Sequence, residues 1–248
     1  MYIQPMNPTL EDTLASIALG LPGATRVLSR FRLDYCCGGK MTLEEACGRK
    51  GIKPALVLKA LEGAAPDSPM PGDGEPLASV ISYVISKHHV FTRAVMEEIH
   101  ALLERVVIVH GGEHPELLQV RSAFNDFESE MSLHLRKEEE ILFPYITKLE
   151  EGRRSEASVC FADVQAPIRM MLFDHESAAE SLNLMRRLTN DYKLPETACT
   201  KYRILFQRLE ELETDIHEHM HLENNLLFPR AILLESTEQG REAPHVAH

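Results

Sequence analysis

The chain contains no tryptophan, and aromatic residues make up only 6% of its 248 residues. Basic residues are also few, because 26 Lys and Arg stand against 38 Asp and Glu, which gives a formal net charge of −12. This surplus of negative charge disfavours binding to nucleic acids and to acidic membrane surfaces. No apolar run reaches the roughly 18 residues that a membrane-spanning helix needs, so no membrane partner is expected.

Cysteine is scarce, and its spacing differs from the disulfide pattern of small secreted proteins. The chain has five cysteines, an odd number with two of them adjacent, unlike the paired framework of a small secreted protein. The first residues lack the charged and apolar regions of a signal peptide. Hydrophobic residues make up 44% of the chain, an ordinary share for a globular protein. We therefore expect a folded protein in a reducing cytoplasm.

One cassette of eleven residues occurs twice. Residues 134–144 and 219–229 both read His-x3-Glu-x2-[Ile/Leu]-Leu-Phe-Pro without a gap. The pair His88-His89 precedes the first copy, and His175 lies 44 residues before the second. A lone histidine is usually a satisfied core or surface residue, but that reading does not explain a repeated cassette with matched upstream histidines. The sequence therefore predicts a duplicated two-helix unit that supplies four imidazoles and two carboxylates, a set suited to two metal ions.

The spacing within each cassette places its two polar residues on one helix face. Residues at i and i+4 lie one above the other, so His134 faces the same way as Glu138, and His219 the same way as Glu223. Apolar residues flank these positions with a helical period, which directs that face toward a core. Buried carboxylates are costly unless they are paired or bind a metal. Imidazole with carboxylate suits iron, manganese or zinc, and a bridged pair with open positions favours iron.

Short helical signals precede the cassettes, and residues 1–62 are predicted to form a small helical domain. Proline and capping signals predict helix starts at Asn7-Pro8, Pro22, Thr42-Leu-Glu-Glu45 and Pro54. The stretch 63–76 holds four Pro and three Gly, a composition that predicts a linker.

Four long helical patterns follow the linker, over about 77–109, 115–149, 163–190 and 195–234. Pro144 is predicted to bend or end the second pattern, and Pro229 to disturb the fourth. No strand-like alternation bounded by turns stands out. The expected fold class is all-α, with an up-down four-helix bundle over 77–236 and a disordered tail over 237–248.

Other residues have two readings each. Cys36 and Cys37, followed by Gly-Gly-Lys40, are either a redox or metal-handling pair or incidental thiols at a turn. In the first case, Lys40 could raise their reactivity by lowering a thiol pKa.

His88 and His89 are about 100° apart on a helix, so only one is expected to face the core easily. His110 either favours a helix C-terminus or acts near the metal site. Asp174, Glu176 and Glu130 are candidates for orienting a ligand imidazole.

Together these motifs resemble the RIC (repair of iron centres) family of hemerythrin-like di-iron proteins. The resemblance implies an ScdA-type N-terminal domain and a hemerythrin-like bundle holding two non-haem iron ions. It also implies that the carboxylates bridge the irons, with an oxo bridge expected, and that Arg93 follows the first ligand, His89, while His88 stands where the family usually has Tyr. The implied ligands are His89, His134, Glu138, His175, His219 and Glu223.

The leading hypothesis is repair of iron–sulfur proteins damaged by nitrosative or oxidative stress, by donation of iron or by handling of NO or peroxide. Damaged iron–sulfur proteins would be the partners, and NO, O2 or peroxide the small ligands. The alternatives are an O2 or NO sensor or store, an NO reductase or peroxidase, and a structural zinc or metal-free bundle. The sequence leaves open whether the chain is a monomer or a homodimer.

Overall fold

The computed structural model describes residues 7–64, 70–153, 161 and 163–242, with side chains up to residue 237. Every regular element in these ranges is helical, and one isolated bridge joins Thr13 to Thr42. The predicted all-α fold class is confirmed. Within the same ranges, no helix combines the length and the hydropathy that crossing a membrane requires.

Four short helices form the N-terminal region: α1 Leu14–Gly20, α2 Ala24–Arg30, α3 Leu43–Lys50 and α4 Pro54–Glu62. The capping box predicted for α3 is confirmed, because Glu45 N donates to Thr42 Oγ1 at 3.2 Å and Thr42 N donates to Glu45 Oε2 at 3.1 Å. The start predicted for α1 is wrong. Asp12 accepts a bond of 2.7 Å from Thr9 N in a preceding turn, so the helix begins only after Thr13.

The bundle consists of four long arms, three of which contain a π-helical turn. Arm one is α5 Leu77–Tyr83, π1 Val84–His89 and α6 Val90–His110, and arm two is α7 Glu116–Lys137, π2 Glu138–Leu142 and α8 Phe143–Glu150. Arm three is α9 Gln165–Leu188, and arm four is α10 Thr200–Leu222, π3 Glu223–Leu227 and α11 Phe228–Glu242. The last helix thus extends past the predicted boundary at 236, and residues 243–248 of the predicted tail lie outside the described residues.

Apolar stripes hold the arms together in two clusters of buried side chains. Helix α7 packs against α9, and α6 packs against both α7 and α10. Fully buried side chains along these contacts include Ile99, Phe124, Leu209 and Leu212. A second apolar cluster fills the other end of the bundle, around Phe143. The polar groups that the cassettes contribute lie between these two clusters.

The π-turns coincide with the cassettes. Residue 138 opens π2 and residue 223 opens π3, while π1 ends at His89. Pro144 and Pro229 follow π2 and π3 and lack the N–H that would continue an α-helical ladder. A wide turn just before each proline lets the chain continue as a helix, so Pro144 does not end its arm. Single π-turns inside α-helices are frequent at functional sites.

Candidate metal centre

Six polar side chains converge inside the bundle, and each is at most 1% exposed. They come from all four arms, with His89 in π1, the cassette residues in arms two and four, and His175 in α9. The structure therefore brings together all six residues expected from the sequence: His89, His134, Glu138, His175, His219 and Glu223.

The first group of ligand atoms combines arms one, two and four. His89 Nε2 lies 3.3 Å from His219 Nε2. Glu138 Oε2 lies 3.4 Å from His89 Nε2, and Glu223 Oε1 lies 3.0 Å from His219 Nε2. Two imidazoles and two carboxylate oxygens therefore surround one point.

The second group uses the remaining oxygen of each carboxylate. His134 Nε2 lies 3.2 Å from His175 Nε2. Glu138 Oε1 lies 3.4 Å from His134 Nε2, and Glu223 Oε2 lies 3.1 Å from His175 Nε2. Each carboxylate thus offers one oxygen to each group, and two metal ions held by the two groups would share both carboxylates.

The electrostatics of the site fit a pair of cations. None of the four carboxylate oxygens accepts a hydrogen bond of good geometry from any residue that the structure describes. Burial alone would raise the pKa of Glu223, but the neighbouring imidazoles of His219 and His175 hold it well below its usual range. Burial likewise opposes a charge on His134, yet the carboxylate of Glu138 raises its pKa to about 10. Cations in place of these imidazole protons would compensate the two buried negative charges.

Two of the converging histidines are oriented by carboxylates outside the site. His89 Nδ1 donates to Glu139 Oε1 at 2.7 Å, and Arg93 Nη1 donates to the same oxygen at 2.9 Å. His134 Nδ1 lies 3.4 Å from Asp174 Oδ2. Such contacts set the tautomer and the direction of a metal-binding imidazole. Of the predicted orienting residues, Asp174 therefore acts on His134 across the bundle.

The other two converging histidines differ in the hydrogen bonds of their Nδ1 atoms. His175 Nδ1 donates to Asn224 Oδ1 at 2.7 Å. His219 Nδ1 has no hydrogen-bond partner in the described part of the chain. Its ring instead stacks on His88, with centroids 5.8 Å apart.

The sequence analysis did not identify Glu139 and Asn224 as orienting residues, although the duplicated cassette contained a signal for them. Each directly follows the glutamate of its cassette, so the two occupy equivalent positions in the duplication. Glu130, one of the three candidates, instead accepts a bond of 2.9 Å from Ser177 Oγ. Glu176 is exposed, as expected of a solvated helix face.

Both neighbouring histidines of arm one are buried, so the expectation that only one would face the core easily is wrong. His88 Nδ1 lies 2.9 Å from Asp215 Oδ1, which supplies a polar partner away from the ligand groups. Burial lowers the pKa of His88. His88 therefore packs against the ring of His219 and is not one of the converging groups.

His110 lies far from the site. It ends α6, a helix of 21 residues that begins directly after His89. A helix of that length spans about 30 Å. His110 Nε2 contacts Cys199 Sγ at 3.2 Å at the opposite end of the bundle. The alternative that His110 acts as an additional ligand or gate is therefore wrong.

The adjacent cysteines lie in a loop between α2 and α3. Asp34 Oδ1 accepts bonds from Cys36 N at 3.2 Å and from Cys37 N at 2.9 Å. The Sγ atoms of the two cysteines are 3.8 Å apart, and Cys36 is buried while Cys37 is exposed. The hydrogen bond with Cys37 and burial raise the pKa of Cys36 well above its usual value, which is the opposite direction to the lowering predicted for one thiol of the pair.

Residues of the second cassette hold this cysteine loop against the bundle. His221 Nδ1 donates to the carbonyl of Tyr35 at 3.0 Å. Asn225 Nδ2 donates to the carbonyl of Cys36 at 3.1 Å. The fit is close enough that a Cβ on Gly39 would lie 2.6 Å from the Tyr35 carbonyl oxygen, so glycine is needed there. The thiol pair is therefore docked beside the converging imidazoles.

Comparisons with known proteins agree with this architecture. Residues 80–231 match the family described as Hemerythrin HHE cation binding domain. Residues 10–65 match the ScdA N-terminal family, described as a domain of unknown function. The chain is 35% identical over 228 residues to the iron-sulfur cluster repair protein YtfE of Pectobacterium atrosepticum, covering 90% of this chain and 97% of that one. It is 34% identical over 225 residues to the protein of the same name from Yersinia pseudotuberculosis, with the same coverage of both chains.

Proposed function

Because the chain belongs to the RIC family of iron–sulfur cluster repair proteins, we propose that it restores iron–sulfur clusters damaged by nitrosative or oxidative stress. The observation that carries this proposal is the pair of ligand groups that share both oxygens of Glu138 and Glu223. The proposed reaction is inferred from the relatives, whose name describes repair of iron–sulfur clusters. The shared carboxylates supply a place where two iron ions would sit side by side.

The proposed centre holds two iron ions per chain. His89 and His219 would bind one ion, and His134 and His175 the other, with both glutamates bridging. An oxo group would complete the bridge. Imidazole and carboxylate donors favour iron over the hard ions magnesium and calcium, and the absence of thiolate from these groups disfavours a structural zinc site.

The residues around the centre have distinct tasks in this proposal. Bound iron would supply open coordination positions for NO, O2 or peroxide and a change of redox state. The two carboxylates hold the ions close together, while Glu139 and Asn224 keep two of the imidazoles in one tautomer. The apolar clusters on both sides restrict water, which strengthens the electrostatic interactions inside the site.

Two mechanisms of repair are compatible with this proposal, namely iron donation and the chemical handling of NO or peroxide. Donation is favoured by the thiol pair, because Cys36 and Cys37 are docked beside the ligand groups and Cys37 is open to solvent. The thiols would then receive iron, or NO, on its way out of the centre. Turnover of NO or peroxide with a reductant would favour the enzymatic version. Reversible O2 binding without repair would favour a sensor or store.

The cellular setting is also part of the proposal. We place the protein in the cytoplasm, with damaged iron–sulfur proteins as its partners. The support is the free state of the four cysteines that the structure describes. A monomer and a homodimer remain alternatives, which sedimentation of the iron-loaded protein would separate.

The test is repair with a defined client. Protein purified without oxygen is expected to hold about two irons per chain and to restore an iron–sulfur enzyme that NO has inactivated. A variant carrying both Glu138→Ala and Glu223→Ala is expected to lose the iron and the repair. Glu140→Gln, at an exposed glutamate of the same cassette, is the matched control and is expected to keep both. Undiminished repair by the double variant would overturn the proposal.

A further inference from the structure

A second cluster of metal-binding side chains lies outside the bundle centre, in the cysteine loop. One ligand atom each from Asp34, Cys36 and Cys37 lies within 4.8 Å of the other two. We propose that these three residues form a third metal site, which binds a single ferrous ion in transit between the di-iron centre and a damaged cluster. The transit role rests on the proposed function, whereas binding of the ion can be tested by itself.

The spacing of the donors suits one ion. Two thiolates bound at about 2.3 Å to one tetrahedral ion are separated by about 3.8 Å. The Sγ atoms of Cys36 and Cys37 are 3.8 Å apart. Asp34 Oδ1 lies 3.2 Å from Cys36 Sγ, so its oxygen can occupy a third corner. Backbone N–H groups of both cysteines donate to this oxygen and hold it beside the sulfurs.

The chemistry of the donors selects the ion. Thiolates favour iron and zinc, and they disfavour magnesium and calcium. The hydrogen bond with Cys37 and burial raise the pKa of the Cys36 thiol above its usual value. A divalent ion would replace both thiol protons, forming two metal–sulfur bonds and releasing two protons, with no change of oxidation state. The carboxylate of Asp34 adds one more negative charge beside the ion.

The site would be open on one side. Three protein ligands leave a fourth position free, as in sites that exchange a ligand and unlike closed structural sites. Cys37 and Asp34 are both exposed. Asp34 and Cys36 also line a cleft of about 750 Å³ between the N-terminal helices and arms three and four. A ligand from a client protein therefore has room beside two of the three donors.

One side chain connects this site with the di-iron centre. The side-chain oxygen of Asn224 accepts the bond from His175 Nδ1. Its Nδ2 donates to the carbonyl of Cys36 at 3.4 Å and lies 3.9 Å from Cys37 Sγ. A single amide therefore spans the distance between a ligand of the centre and the thiol pair. The arrangement places the third site where an ion leaving the bundle would be received.

Cobalt is a suitable probe, because thiolate coordination gives Co²⁺ a strong near-ultraviolet charge-transfer band that imidazole and carboxylate ligands do not give. Full-length protein with its di-iron centre filled would be titrated with Co²⁺ without oxygen. We expect one further ion per chain together with the thiolate band. Cys36→Ser and Cys37→Ser are each expected to abolish the band, and Asp34→Asn to weaken binding at least tenfold.

Cys199→Ser is the matched control, because it removes another exposed thiol and leaves the loop intact. Circular dichroism and the iron absorption of each variant would establish that its fold and its di-iron centre are unchanged. The proposed site is wrong if wild-type protein gives no thiolate band, or if the band persists in both loop variants. Repair without cobalt binding overturns only the third site. Cobalt binding without repair leaves the site in place and overturns the proposed function.

Discussion

Asn224 and His175 face each other across arms three and four, with 2.7 Å between the amide oxygen and the imidazole Nδ1. The same amide donates to the Cys36 carbonyl, so one residue contacts both the ligand group and the cysteine loop. A substitution here is therefore expected to change two measurable properties together.

Asn224→Ala removes both contacts. We expect metal affinity to fall about 10–100-fold, the usual cost of losing an outer partner of a ligand histidine. We also expect faster alkylation of Cys37, because the loop loses a bond to the bundle. Metal analysis and timed labelling with a thiol reagent measure the two effects.

Asn225→Ala is the matched control for that variant. Asn225 donates to the carbonyls of Tyr35 and Cys36 but to none of the ligand histidines. It is expected to accelerate alkylation and to leave metal affinity unchanged. Equal metal loss in the two variants would mean that Asn224 acts through the loop alone and not through His175.

Glu139→Ala tests the corresponding position of the first cassette. The variant removes the acceptor of His89 Nδ1 and leaves Arg93 without its partner. We expect a fall in metal affinity of about 10–100-fold. Restoration of affinity by Glu139→Gln, whose oxygen can still accept the imidazole bond, would identify orientation as the cause. Competition with a coloured chelator gives the affinities, and unchanged binding in Glu139→Ala would rule out this role.

The sharing of carboxylates predicts an asymmetry between variants. His134 belongs to one ligand group only, whereas Glu138 contributes an oxygen to both. His134→Ala is therefore expected to retain about one iron per chain, and Glu138→Ala less than one. His100→Ala, at an exposed histidine on α6, serves as the control with two. Elemental analysis of the variants, loaded with iron in parallel, measures the iron content of each. Equal loss of iron in the His134 and Glu138 variants would contradict the division of the site into two ligand groups.

Removal of the metal is expected to destabilise the fold. A ligand at about a hundred times its dissociation constant stabilises the native state by about 2.7 kcal/mol. For a chain of this size that corresponds to about 5–10 °C in the unfolding midpoint. Calorimetry with and without a chelator measures the shift. The variant with Glu138→Ala and Glu223→Ala should show no chelator effect, and an unchanged midpoint in the wild type would favour a bundle that needs no metal.

Features governed by short-range periodicity could be read from the sequence. The i, i+4 spacing places His134 beside Glu138 on one face whatever else the chain does, and the duplication applies the same rule to arm four. The capping box at Thr42 is equally local. These relations depend on one helix at a time, so sequence reasoning predicted the all-α fold and the two His-x3-Glu pairs. The choice of His89 over His88 came from the family resemblance and not from periodicity.

Relations between elements needed the tertiary structure. Neighbouring residues on a helix look alike to a periodicity argument, so only packing directed His89 to the ligand groups and His88 to Asp215. The π-turns begin or end at residues of the candidate site and change the helical register of arms one, two and four. Asp174 lies beside His175 in the chain yet supports His134, because α7 and α9 pack side by side.

The position of the cysteine loop depends on the same kind of information. Nothing in residues 34–40 by themselves specifies that they lie beside the second cassette. Backbone carbonyls of Tyr35 and Cys36 bind His221, Asn224 and Asn225, nearly 190 residues away in the chain. The sequence by itself determined the helices and the two His-x3-Glu pairs, because local spacing is encoded locally. Only the tertiary structure decided which polar groups meet, because those contacts depend on how the arms pack.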